Sequence, residues 1–183
     1  MRDIPHLYDS VSLQHFAAAD ALHVLEPTHD HLEYPRWVEG VADEIGTGAQ
    51  AGIDECITVS EFVWLGVAEP PADDVATEVA IRSLQVAFGD VNRHRGEAES
   101  LHFAETRDVV FVTDDSVAYE FARHRLGDDS VKDFCDVLVD AIHRGIVNAE
   151  QAADIAGRVT YAGRHLRRGR PRLPGATYFM EIA

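Results

Sequence analysis

The chain has 183 residues, 46% of them hydrophobic, which predicts one globular domain with a sizeable core. Its 32 acidic and 16 basic residues give a formal net charge of −16, which argues against broad contact with a phosphate backbone unless bases are concentrated or a metal ion intervenes. A solvated acidic surface, as in salt adaptation, explains this charge without reference to function. A surface that excludes nucleic acid is the less favoured interpretation.

No apolar run is long enough to cross a bilayer, and the first residues, MRDIPHLYDS, lack the apolar stretch of a signal peptide. These features predict a cytoplasmic protein. The residue types that bind zinc form no spaced set. Cys56 and Cys135 stand far apart among apolar neighbours, which predicts buried free thiols, and His29 and His31 are predicted to be solvated loop histidines.

The chain opens with a predicted short strand near residues 4–8, followed by a helix in which Leu13, Phe16 and Ala17 recur at helical spacing. Asp9 therefore falls at the carboxyl end of a strand, where a side chain of this type can also cap the helix. A second helix is predicted after Pro35, with Val41 and Ile45 on its apolar face. Glu44 and Glu39 are the two acids of this helix that are candidate site residues. The alternative for either is a surface acid without a functional role.

Small residues at 46–52 predict a loop, and the apolar run at 56–67 predicts a strand. A helix is then predicted from Asp73–Asp74 to Val86, followed by a polar turn at 89–95. That turn carries Arg93 and Arg95, which are candidates for contact with an RNA phosphate, although a short solvated loop is the favoured interpretation.

The segment RGEAESLHFAETRDVVFVTDDSVAYEFARHR predicts a helix, a strand buried on both faces at 109–112, and another helix. The residues after this strand, Thr113 to Ser116, stand where open α/β sheets place their ligands. Carboxylates that meet there repel one another unless a cation lies between them. The alternative is that Glu97 begins a solvated helix and that Asp114 and Asp115 only cap the next one.

Two amphipathic helices are predicted at 131–142 and 148–159, and residues 161–183 form a basic C-terminal tail. The tail is predicted to be flexible, with contact to RNA and self-association as equally weighted roles; pairing with the protein's own acidic surface is a further alternative. Its apolar end, residues 178–182, is predicted to dock as a strand. The tail carries the densest group of bases in the chain: Arg164, Arg167, Arg168, Arg170 and Arg172.

The segment RGEAESLHFAETRDVVFVTDDSVAYEFAR resembles the second half of a PIN domain, especially the archaeal and bacterial PIN-like proteins related to VapC toxins. Asp9, Ser10 and Leu13 match the end of the first strand in that family, so that the resemblance covers about the first four-fifths of the chain, residues 1–160. It implies a three-layer α/β/α sandwich around a mainly parallel sheet. The run LGDDS is a poor match to the family's fifth strand.

In PIN domains, four acidic residues from separate segments bind Mg²⁺ or Mn²⁺ for RNA hydrolysis. The resemblance assigns these positions to Asp9, Glu44, Glu97 and Asp115, with Asp114 as the alternative to Asp115. Ser10 and Thr113 would then orient the carboxylates or a water molecule.

The function implied by the resemblance is a metal-dependent endoribonuclease, of the kind that serves as the toxin of a toxin–antitoxin pair. Its expected partners are RNA, a small antitoxin and a second copy of the chain. The RNA contacts are assigned to Arg93, Arg95, Arg164, Arg167 and Arg168. The alternative is a PIN-like scaffold or protein-binding regulator that keeps the fold without activity.

Overall fold

The computed structural model describes residues 4–29, 36–90, 93–167 and 169–183, so that His31, Pro35 and Arg168 lie outside the described residues. Within these ranges the chain folds around a small parallel sheet with the strand order β1-β2-β3. Leu7 pairs with Phe111, and Phe111 pairs in turn with Val131. The strands are β1 (His6–Tyr8), β2 (Val110–Val112) and β3 (Val131–Lys132).

Both faces of this sheet are covered, because consecutive residues of β1 and β2 are all buried. The predicted mixed α/β class with a parallel sheet is therefore confirmed. In chain order, the described helices are α1 (Ser10–Ala18), α2 (Leu25–His29), α3 (Glu39–Gln50), α4 (Asp54–Ser60), α5 (Val75–Phe88), α6 (Arg95–Thr106), α7 (Ser116–Leu126), α8 (Phe134–His143), α9 (Ala149–Tyr161) and α10 (Ala176–Ile182).

An aspartate begins the helix that follows each strand. The side chain of Asp9 caps α1, that of Asp115 caps α7, and that of Asp133 caps α8 within a reciprocal capping box. Because parallel strands end at the same edge of a sheet, all three aspartates gather at the carboxyl edge.

The predicted strand at 56–67 is wrong. This segment forms α4 and then a 3-10 turn at Val63–Leu65. Cys56 and Val59 are three residues apart and both buried, so that helical spacing places them on the same face. Cys56 packs so closely on α3 that a Cβ added to Gly48 would lie 2.5 Å from its Sγ. Packing against α3 therefore outweighs the strand preference of this β-branched run.

The predicted loop at 46–52 is also wrong over most of its length, because α3 continues to Gln50. Its start is later than predicted, at Glu39, while Val41 and Ile45 are buried as expected. Both cysteines are free and buried, as predicted.

The last third of the chain differs from the prediction at two places. Val131 and Lys132 form β3 and do not belong to the following helix, which begins at Phe134. The strand β3 thus begins directly after the residues LGDDS. The C-terminal residues form α10, not a strand, and bury Phe179 completely. No helix among the described ranges combines the length and apolar character needed to cross a membrane.

Candidate functional site

Asp9 lies at the carboxyl edge of the sheet and is completely buried. Its Oδ1 accepts a hydrogen bond from the Ser12 amide at 2.7 Å, and its Oδ2 accepts one from Thr113 Oγ1 at 2.5 Å. Burial raises the pKa of Asp9 well above its usual value; the Thr113 and Ser12 hydrogen bonds oppose this rise, and the charge of Glu97 adds to it. The charged form of Asp9 is therefore disfavoured in the metal-free protein, and a bound cation would favour it.

Glu97 stands in the first turn of α6, which begins at the same edge because α6 leads back into β2. The side chain is buried, and its Oε2 has no hydrogen-bond partner in the described part of the chain. Its Oε1 lies 3.4 Å from Nδ1 of His94. Burial raises the pKa of Glu97, and the negative charge of Glu44 raises it further.

Glu44 reaches this place from α3. Its Oε2 accepts a hydrogen bond from Ser10 Oγ at 2.7 Å, and its Oε1 accepts one from the Gly96 amide at 3.1 Å. The rival candidate, Glu39, is exposed at the start of the helix. The structure thus brings Asp9 near enough to Glu97, and Glu97 near enough to Glu44, for the charges of each pair to interact.

The hydroxyls of Ser10 and Thr113 each donate a hydrogen bond to one of these carboxylates. Ser10 donates to Glu44, and Thr113 donates to Asp9. Thr113 Oγ1 also accepts a hydrogen bond from the Asp115 amide at 3.2 Å. The hydroxyl therefore links the backbone of Asp115 to the carboxylate of Asp9.

The two acids that follow β2 point to different surroundings. Asp115 is half-buried, and its Oδ1 accepts hydrogen bonds from the amides of Val117 and Ala118, both at 2.8 Å. Asp114 is buried, with its Oδ2 3.3 Å from Nδ1 of His15 and 3.2 Å from the Phe134 amide. Asp114 is thus held by contacts with α1 and the start of α8, whereas Asp115 is half-buried at the start of α7.

A metal-binding arrangement of these acids is not preformed. Among the described residues, the acids assigned to the metal do not offer three ligand atoms within 4.8 Å of one another. Another group does, and it consists of His6, His29 and Asp140. The acid cluster fits Mg²⁺ or Mn²⁺ in its donor chemistry, because its ligands are all carboxylate oxygens and the buried Glu97 Oε2 has no partner.

The arginines of the α6 segment differ in their contacts. The side chain of Arg93 is 78% exposed, and its Nε lies 3.9 Å from Oδ2 of Asp90. Arg95 pairs with Glu78 at 3.1 Å and with the buried Glu99 at 2.7 Å. Of these two, Arg93 has the more exposed side chain.

Three arginines of the tail, Arg164, Arg167 and Arg170, lie against the protein, which does not agree with the prediction of a flexible tail. Arg164 contacts Gln14 at 3.0 Å and Glu55 at 3.7 Å. Arg167 binds Asp133 at 2.8 Å, and its guanidinium lies 3.7 Å from the centre of the Tyr119 ring. These contacts support the alternative in which the tail pairs with the protein's own acidic surface, and a role of these arginines in RNA binding stays a prediction.

Sequence reasoning missed Asp133, the acid at the end of the third strand. It is completely buried and binds Arg170 at 2.6 Å as well as Arg167. Burial opposes its ionisation, but the hydrogen bonds and charges of Arg170 and Arg167 outweigh burial and lower its pKa. Asp133 therefore already has two arginine partners, whereas Glu97 has His94 near one of its oxygens and no partner for the other among the described residues. A strand of only two residues gives little sequence signal, although an Asp directly before an apolar helix is a cap pattern.

Comparisons of the chain with protein-family models, with curated proteins and with solved structures find no match. The resemblance to PIN domains therefore rests on the motif residues alone and stays a prediction.

Proposed function

We propose that this protein is a divalent-metal-dependent ribonuclease of the PIN type, with Asp9, Glu44 and Glu97 as its central carboxylates and Asp115 at the rim of the site. The observation that carries this proposal is the buried Glu97, whose Oε2 has no hydrogen-bond partner among the described residues and which shares its surroundings with two further carboxylates. The three-layer arrangement of PIN domains is part of the same proposal.

The other buried acids near the carboxyl edge provide the contrast. Glu99 accepts a hydrogen bond from the Gly40 amide at 2.7 Å and pairs with Arg95, and Asp133 pairs with two arginines. Burying an unpaired carboxylate costs folding free energy that these partners offset. The unpartnered oxygen of Glu97 is therefore best explained by a ligand with positive charge, and carboxylate oxygens suit Mg²⁺ or Mn²⁺.

A bound Mg²⁺ or Mn²⁺ would polarise a phosphoryl oxygen and lower the pKa of a water molecule. The chain's own residues prepare the site for this chemistry. Ser10 and Thr113 fix the orientations of Glu44 and Asp9. Arg93, exposed next to His94, is placed to hold a phosphate of the RNA.

A small antitoxin and a homodimer are expected of VapC-related toxins and belong to the same proposal. Activity is tested with the chain alone, because a bound antitoxin would block the site.

The test is cleavage of a 5′-labelled RNA by the purified chain, with and without Mn²⁺ or Mg²⁺. We expect internal cleavage that requires the metal and that falls about 100-fold or more in Asp9→Asn and Glu97→Gln, because each variant removes a metal ligand. The control is Asp108→Asn, which changes an exposed acid ahead of β2 and should keep full activity.

Cleavage that survives unchanged in both variants would come from a contaminating nuclease and would overturn the proposal. A wild-type chain that binds Mn²⁺ but cleaves no RNA would overturn it in favour of the inactive scaffold.

A further inference from the structure

A second cluster of potential metal ligands lies away from the acids, on β1, α2 and α8. It consists of His6, the first residue of β1, His29, the last residue of α2, and Asp140, about two turns into α8. One ligand atom from each lies within 4.8 Å of the others. The three residues come from distant parts of the chain, so that their meeting is a product of the fold.

His6 is oriented in the way that metal-binding histidines are. Its Nδ1 lies 3.0 Å from the carbonyl oxygen of Ile4, and because a carbonyl only accepts, Nδ1 carries the proton of the neutral ring. Nε2 then presents a lone pair, and it lies 3.6 Å from Oδ2 of Asp140 without a hydrogen bond. Histidine ligands of metals usually donate their other N–H to a carbonyl or carboxylate in this manner.

His29 supplies the second and independent observation. The side chain is buried, with 3% of its surface exposed, and neither ring nitrogen has a hydrogen-bond partner among the described residues. Its ring stacks on that of His6, with 4.2 Å between the ring centres. A buried imidazole without any partner is unfavourable for folding unless a ligand satisfies a nitrogen.

The cluster opens onto a cavity of about 620 Å³, which gives an ion and water access to it. The charged groups along this cavity are of both signs. Lys132 contacts Oδ2 of Asp140, the same oxygen that faces His6, and competes with a metal ion for that carboxylate. The remaining charged residues that line the cavity are Asp128, Asp129, Asp136 and Arg144.

We propose that His6, His29 and Asp140 bind one transition-metal ion of the zinc class, with water from the cavity as a further ligand. Two imidazoles and one carboxylate suit Zn²⁺ or Co²⁺, whereas Mg²⁺ and Mn²⁺ favour all-oxygen sites. Two ligands about 2.0–2.1 Å from a tetrahedral ion lie roughly 3.3 Å apart, close to the 3.6 Å between His6 and Asp140. This site does not depend on the proposed ribonuclease activity.

The test uses the untagged chain, stripped of metal with a chelator and titrated with Zn²⁺ by isothermal calorimetry. We expect one Zn²⁺ per chain, and binding weakened by about tenfold or more in His29→Gln and in Asp140→Asn. The control, His124→Ala, removes an exposed histidine on α7 and should bind Zn²⁺ like the wild type.

A second measurement needs no variant and is unaffected if His29→Gln fails to fold. Co²⁺ added to the wild-type chain should give the intense visible bands of a four-coordinate ion, and Zn²⁺ should abolish them. Failure to bind Zn²⁺ stoichiometrically, unchanged affinity in folded Asp140→Asn, or only the weak spectrum of six-coordinate Co²⁺ would overturn the proposal.

Discussion

Gly96 and Glu44 meet where α3 crosses the start of α6. The Gly96 amide donates to Oε1 of Glu44 at 3.1 Å, and a Cβ added to Gly96 would lie 3.0 Å from that oxygen and 2.9 Å from Cγ2 of Val41. The glycine is thus required for close approach of the two helices. This approach positions Glu44 near Glu97. The position of the Glu44 carboxylate therefore depends on the absence of a side chain at Gly96.

The first prediction concerns this crossing. Gly96→Ala should lower the free energy of unfolding by about 1–3 kcal/mol, because the new methyl group must displace Glu44 or Val41. Gly46→Ala is the matched control on α3, where an added Cβ meets no atom within 4 Å. There alanine should be neutral or stabilise by up to about 1 kcal/mol. Urea denaturation measures both, and equal stability of Gly96→Ala and the wild type would contradict the inferred contact.

The second prediction follows from the raised pKa of Glu97. A carboxyl whose pKa is higher in the folded state binds more protons there, so that wild-type stability falls as the pH rises from the unfolded pKa through the folded one. Glu97→Gln removes this loss. In metal-free buffer at pH 8, it should be more stable than the wild type by about 1 kcal/mol, and this difference should vanish below about pH 4.

Thermal or urea unfolding across this pH range gives the measurement, and Asp108→Asn serves as an exposed control with no such difference. Added Mg²⁺ should stabilise the wild type more than Glu97→Gln, because it binds the folded state. A variant less stable than the wild type at pH 8 would show that Glu97 has a favourable partner in the metal-free protein.

The third prediction concerns the buried pair of Asp133 and Arg170. Arg170→Ala leaves Asp133 with Arg167 as its remaining arginine partner and should cost about 2–4 kcal/mol at neutral pH. The matched control, Arg172→Ala, removes an exposed arginine of the same segment and should change stability by less than about 0.5 kcal/mol.

The pH dependence gives an independent check on this pair. Because the folded-state pKa of Asp133 is lowered, its contribution is complete above the unfolded pKa, about 3.9, and is lost as the pH falls through the folded value. Arg170→Ala should therefore lose less stability on acidification than the wild type does. A parallel acid loss in both proteins would rule out Arg170 as the main partner.

The fourth prediction tests the competition at Asp140. Lys132→Met removes the ammonium that contacts Asp140 and keeps a side chain of similar length, so that Zn²⁺ should bind more tightly, by about threefold to tenfold. Calorimetric titration of the variant beside the wild type measures this change. Weaker Zn²⁺ binding in a folded Lys132→Met variant would show that Lys132 supports the site.

The sequence predicted the parts of the fold in which local pattern and packing agree. β1 with Asp9, and β2 between two helices, were predicted because apolar runs of strand length stand directly before capping residues. The helix α4 was missed because its β-branched residues favour a strand locally, while burial of Cys56 and Val59 against α3 favours a helix.

The candidate sites also contain some residues that local pattern predicts and others that depend on tertiary packing. Asp9, Glu44 and Glu97 were named from spaced motifs, and the structure brings Asp9 near enough to Glu97, and Glu97 near enough to Glu44, for their charges to interact. His29 was predicted to be a solvated loop residue, but it is buried at the end of α2, because its surroundings come from β1 and α8. Burial of this kind depends on tertiary packing, which no spacing of residues encodes.

The ion pairs that Asp133 forms with Arg167 and Arg170 affect when this part of the chain can fold during synthesis. The edge of the sheet at β3 acquires its counter-charges only after residue 170 has left the ribosome, and β1 must wait for residues 110–112 before it can pair. Pairings so distant along the chain are slow to form. Packing at this edge is therefore expected to be completed only after residues 167–170 have been synthesised.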